Sequence, residues 1–151
     1  MKHDSSNSPL KDEATLRWSC LDAERDACAV VSERMEFVYL NAAARGLVRR
    51  GEWFGKRCFE ALAIADATCA FGCPKIQAVN ESSDLVYCEE TVFLEEDGWR
   101  VFGVGLIPLG AAHDDHGRAI LLLRSKEGCL GQSAFQSQLL TDARSLARRV
   151  L

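Results

Sequence analysis

Three cysteines, Cys58, Cys69 and Cys73, stand in C-x10-C-x3-C spacing within the stretch GKRCFEALAIADATCAFGCP, Gly55 to Pro74. Thiolates can ligate a metal, exchange disulfides or be oxidised, and the local pattern favours the thiolate at one of them. Pro74 suits the first turn of a helix, where no N–H bond is needed and its fixed φ is already helical. Ile76 and Val79 continue that helix with apolar spacing. Cys73 then falls at its N-cap, where free N–H groups and the positive end of the helix dipole stabilise an anion. Cys69 lies close enough in the preceding loop to fold back toward Cys73. Cys88, on the strand expected after this helix, is the candidate fourth ligand, because that strand can run back beneath the helices.

Three readings of these residues stay open. Cys58, Cys69, Cys73 and Cys88 could hold zinc or an iron–sulfur cluster. Cys69 and Cys73 could instead form a thiol switch whose oxidation pins the loop to the helix start. Or the thiols simply pack the loop against a sheet, since free cysteine behaves as a small hydrophobe. Cys20, Cys28 and Cys129 sit alone among apolar or small residues and fit that last role. His113-Asp114-Asp115-His116 carries metal-capable side chains but reads as a solvated turn. No Ser/His/Asp set, phosphate loop or catalytic carboxylate pair is legible, so an enzyme is not expected.

The elements that must position these groups follow from the rest of the chain. Its 151 residues, 48% hydrophobic and 26% charged, suit one globular domain. A net charge of −4 argues against a nucleic-acid surface. No apolar run is long enough to span a bilayer and the first residues lack a signal-peptide core, so the expected place is the cytoplasm. Seven cysteines without an export signal shift weight from a disulfide framework toward metal or redox chemistry.

Residues 1–11 read as a flexible tail and 12–126 as one domain, opening with a helix over 13–25 whose apolar face is Leu16, Cys20 and Ala23. Strands at 28–31 and 37–40 form a hairpin. Asn41 then caps a helix over 42–49, broken by Gly51. Short helices are expected at 59–63 and 74–80. Strands follow at 85–95 and 99–109, joined by an Asp97-Gly98 turn, and at 118–124. Gly103 and Gly105 alternate along the second of these, leaving room on one face for a ligand or a helix. A terminal helix over 133–151, within a segment 127–151, carries Leu139, Ala143, Leu146 and Val150 at heptad spacing. That stripe serves either dimerisation or packing on the chain's own sheet. The order of elements gives an α+β domain: an antiparallel sheet with short helices on one face and flanking terminal helices.

Between Leu21 and Arg124 the chain resembles a PAS domain. Ala29-Val30-Val31, then Phe37 to Ala44 with its y-x-N-x-A entry at Tyr39, Asn41 and Ala43, is similar to that family's opening. Gly55, Glu90, Asp97-Gly98, Pro108-Leu109 and Gly117 resemble its later landmarks. Gly55, Cys58, Phe59, Glu60, Cys69, Cys73 and Pro74 resemble a cysteine-containing subgroup, G-x-x-C-[YF]-E … C-x(2–3)-C-P, of bacterial sensor kinases and transcriptional regulators. The resemblance implies signal sensing rather than catalysis, often through a ligand or cofactor held between sheet and helices. It also implies a homodimer, here through terminal helices, and an effector such as a histidine kinase or transcriptional regulator. Gly55-x-x-Cys58 is similar to the adduct cysteine of LOV domains, but Arg57-Cys58-Phe59-Glu60-Ala61-Leu62 departs from N-C-R-F-L-Q. The later strands lack the amides a flavin ring needs, so flavin is not expected. Haem is not expected either, since the histidines lie in the tail and one loop. The rival reading is an interaction or dimerisation domain with inert buried cysteines.

Overall fold

A computed structural model describes residues 17–48, 52–62, 85–94, 96–109, 118–126 and 131–150, with the side chains of Cys58, Phe59 and Val150 outside that description. Five strands, β1 (Ala27–Val31), β2 (Phe37–Leu40), β3 (Val86–Leu94), β4 (Gly98–Pro108) and β5 (Ala119–Ser125), form one sheet in the order β2-β1-β5-β4-β3. Every neighbouring pair is antiparallel. The fold is the α+β arrangement expected from the sequence.

Both faces of the sheet are covered, which explains the apolar runs at its centre. Every residue of β1 is buried, as are the first five of β5. A strand with a wet face would alternate instead. Ala29, Val31, Val104, Leu106, Leu121 and Leu123 turn to one face, covered by α1 (Ala42–Arg45) and by α2 (Cys58–Ala61) with the adjoining Leu62. Cys28, Val30, Ile107, Ile120 and Leu122 turn to the other, where Trp18, Leu21 and the long helix α3 (Gln132–Val150) pack.

Asn41 joins these layers. Its Oδ1 accepts from the Ala44 N–H at 3.0 Å, the expected cap, and from the Cys28 N–H at 2.9 Å. Its Nδ2 donates to the carbonyls of Leu21 at 3.0 Å and Asp26 at 2.9 Å. The residue is fully buried, and its side-chain bonding capacity is filled.

α3 resolves the two readings of the heptad stripe. Phe135, Leu139, Ala143 and Leu146 are buried against this chain's own sheet. The three described stripe residues, Leu139, Ala143 and Leu146, thus face this chain's own sheet, and a homodimer through the terminal helices would rest on another face of α3. Gly103 and Gly105 make the approach possible. A Cβ at Gly103 would lie 2.3 Å from Phe135 Cε2, and one at Gly105 would lie 3.3 Å from Ala143 Cβ. The glycine pair serves helix packing.

Two helices differ from expectation. Within the 13–25 helix, the described part tightens into a 3-10 segment over Ser19–Ala23 and buries Trp18 and Leu21, while Cys20 is exposed. With about three residues per turn, 18 and 21 share a face. The helix expected to reach residue 49 stops at Arg45, and Gly46 follows in a turn. Unwinding there lets the consecutive Leu47 and Val48 both pack on the core, whereas a helix would set them about 100° apart.

Candidate functional site

Between the sheet and the short helices lies an apolar cavity of about 20 Å³, enough for about one water-sized body. Ala44, Leu47 and Leu62 line it from the helix side, and Val92, Val104 and Leu121 from the strands. One ionisable side chain, Glu90 of β3, stands among the described lining residues. Its position follows from strand geometry: Val86, Cys88, Glu90, Val92 and Leu94 alternate onto the helix-covered face. Four of the five are apolar or thiol, and the fifth is a carboxylate.

Cys88 is half-buried on that same face, opposite Val104 in register. Cys58 is the first residue of α2, which covers this face, but its side chain is outside the described residues. Cys69, Cys73, the expected helix from Pro74, the His113–His116 loop and Cys129 also lie outside them. Of the four-thiol set, only the Cys88 side chain lies within the described residues. Among the described residues no group of three or more His, Cys, Asp or Glu is placed to hold a metal ion.

Cys28 is a different kind of thiol. It is fully buried on the α3 face, and its Sγ–H donates to the Asp26 carbonyl at 3.5 Å. Burial first, then the nearby Glu24 and Asp26 carboxylates, push its pKa up to about 12. It stays a protonated, unreactive thiol near neutrality.

Polar contacts strap α3 in place along its length. Near its start, Glu89 accepts from Lys126 Nζ at 2.9 Å and Gln132 Nε2 at 2.8 Å, and also from the Tyr87 hydroxyl at 2.9 Å. The Lys126 bond, with those of Gln132 and Tyr87, lowers the Glu89 pKa. Farther along, Arg124 reaches Asp26 at 2.5 Å and Asp142 at 2.7 Å, joining the start of β1 to the helix. Hydrogen bonding to Asp26 leads the causes that hold its guanidinium charged. At the far end Arg149 pairs with Glu24 at 3.1 Å. Beyond the start of α3, the same face leaves Phe93, Trp99 and Val101 exposed, with the Phe93 and Trp99 rings edge to face at 5.3 Å. No described helix is long and apolar enough to cross a membrane.

Sequence reasoning placed Cys88 but missed Glu90 as a cavity residue. The signal was legible: a single carboxylate on the apolar face of an alternating strand. The Phe93–Trp99 patch was also missed, because alternation alone does not say where a covering helix begins.

No family model matches the chain, and no curated protein matches it. Solved structures do. The chain is similar to the PAS domain of an HTR-like protein from Haloarcula marismortui, at 18% identity and a TM-score of 0.52, covering 76% of this chain and 98% of that one. It is similar to the PAS domain of the RpfR quorum-sensing receptor from Cronobacter turicensis in complex with BDSF, at 10% identity and a TM-score of 0.52, over 68% and 94% of the two chains. The RsLOV d2 variant aligns over 94% of this chain and 84% of its own, at 14% identity and a TM-score of 0.61. Taken with the strand order and the two covered faces, these likenesses give the chain the PAS fold.

Proposed function

We propose that this chain is a signal-sensing module, not itself an enzyme, which receives its signal on the helix-covered face and regulates an attached or partner effector. The observation that carries this reading is the apolar cavity between β-sheet and short helices, with Cys88 on the same face. An apolar lining with few polar groups is the chemistry of small-molecule sites, and this cavity would have to widen to take more than a water-sized body. The PAS fold supports the reading, as does the likeness to a PAS domain from a two-component sensor histidine kinase, at 13% identity and a TM-score of 0.52. The cysteines are read as a second input: Cys58, Cys69, Cys73 and Cys88 hold zinc or an iron–sulfur cluster, or Cys69 and Cys73 cycle as a thiol switch.

Metal analysis, a visible spectrum and thiol counting on protein purified without oxygen test the cysteine role. Stoichiometric zinc or iron with protected thiols supports ligation, and reversible loss of two thiols on oxidation supports the switch. Absence of both, with no response in Cys73→Ser, refutes any sensing role for the segment. The exposed Phe93, Trp99 and Val101 favour a second reading, a protein-interaction domain that uses the outer face of the sheet.

A further inference from the structure

We propose that a cleft on the α3 side of the sheet docks a short, carboxylate-rich segment of a partner protein. The cleft holds about 510 Å³ and lies between residues 23–26 and the second half of α3, with Leu122 and Arg124 of β5 also in its lining. Asp142, Ser145 and Arg149, spaced three and four apart, bring one side of the helix to it. Charges of both signs are present, but their hydrogen bonding differs. Both oxygens of Asp26 accept from Arg124, those of Asp142 accept from Arg124 and Gln138, and one oxygen of Glu24 takes Arg149. The acceptors of the cleft are thus almost filled. Its donors are not: Nη1 of Arg124, Nε and Nη1 of Arg149 and the whole exposed guanidinium of Arg25 bond to no described residue. A guanidinium has five N–H donors, no acceptor and a charge it does not lose, so an occupant must bring acceptors. Exposed Arg148 adds charge at the rim, and the cations then outnumber the three carboxylates in a chain whose net charge is −4. Carboxylates suit these groups, because each can be forked by one guanidinium. The part-exposed Glu24, Asp26 and Asp142 limit the partner's size. A nucleic acid or an anionic bilayer would lay phosphates against them, whereas a short peptide sets one or two carboxylates in the cleft. The inference rests on the reading of the chain as a regulator of a partner effector, and gives that partner a surface on the sheet face opposite the sensing one.

The test is a titration of the full chain with hexaglutamate at low salt, followed by amide NMR. Hexaglutamine, a short single-stranded DNA and phosphatidylserine vesicles are titrated alongside. Hexaglutamate is expected to shift the signals of Arg25, Ser145 and Arg149, hexaglutamine to leave them in place, and DNA and vesicles to bind more weakly. Arg25→Gln is expected to weaken hexaglutamate at least about threefold. Arg34→Gln, an equal loss of charge on the exposed β1–β2 turn, is expected to leave the affinity within about 1.5-fold. Ser145→Glu sets a carboxylate in the cleft and is expected to abolish binding. Absence of any shift with hexaglutamate overturns the proposal, as does equal weakening by Arg25→Gln and Arg34→Gln, or tighter binding of DNA or vesicles. None of these results bears on the sensing reading, whose metal and thiol tests concern the other face.

Discussion

Replacing Asn41 tests the account of how the layers are joined. Asn41→Ala removes four hydrogen bonds at once. The lost cap on Ala44 costs about 1 kcal/mol. The Cys28 N–H is buried, and orphaning it costs about 1–2 kcal/mol. The Leu21 carbonyl keeps the Glu24 N–H at 3.0 Å, so losing its second bond costs about 1 kcal/mol. The Asp26 carbonyl is only partly buried, so water replaces most of that bond. The sum is a loss of about 3–4 kcal/mol, a large share of the stability of a typical domain. Urea denaturation followed by circular dichroism measures it. Asn41→Asp sharpens the test, because it keeps both accepted bonds but turns a carboxylate oxygen toward the carbonyls of Leu21 and Asp26. That variant is expected to lose about as much at neutral pH and to recover part of the loss at pH 4–5, where protonation restores one donor. An Asn41→Ala variant within about 1 kcal/mol of the parent refutes the reasoning, as does an Asp variant of full stability at pH 7.

Gly103→Ala forces Phe135 off its seat and is expected to cost about 1–3 kcal/mol, with hydrogen exchange rising first over α3. Unchanged protection there would show that the helix does not need the glycine. Arg124→Met leaves Asp26 and Asp142 without the cation that joins them; the group is partly exposed, so a loss of about 1–2 kcal/mol is expected, smaller in high salt. A loss independent of salt would assign the effect to packing. In a brief alkylation pulse at pH 8, Cys20 is expected to label at once and Cys28 only on unfolding, read by peptide mass spectrometry. The Cys28 pKa is raised on folding, so its contribution is whole below about pH 9 and is lost as pH rises toward about 12. Stability that rises over that interval would contradict the burial of this thiol.

The sheet was legible because its residues carry two independent signals that agree. β2 spans the residues expected, Phe37–Leu40, since aromatic and aliphatic residues alternate there between a turn and a good cap. The Asn41 cap was legible from residue type alone, but the bonds from its Nδ2 were not, because they depend on where Leu21 and Asp26 return in space. The face of the first helix was misread through an assumed period of 3.6; the 3-10 segment has a tighter one. The fate of the heptad stripe was undecidable in sequence, as a helix seam and a sheet-facing stripe share the same spacing. What decided it was Gly103 and Gly105, which lower the surface of β4 enough for Phe135 and Ala143 to sit down on it.

The strand order also constrains how the molecule can be made. β5 is central yet last of the described strands, lying between β1, whose Ala27 faces Leu123, and β4, whose Val104 faces the same residue. A nascent chain that ends at Pro108 owns two hairpins, β1–β2 and β3–β4, with no strand between them. Neither can complete its ladder until residues 119–125 emerge from the ribosome. Folding is then forced to be a late, long-range closure with a high contact order, and slow for a domain of this size. During synthesis the apolar inner edges of both hairpins stand open to other chains, the exposure that chaperones recognise.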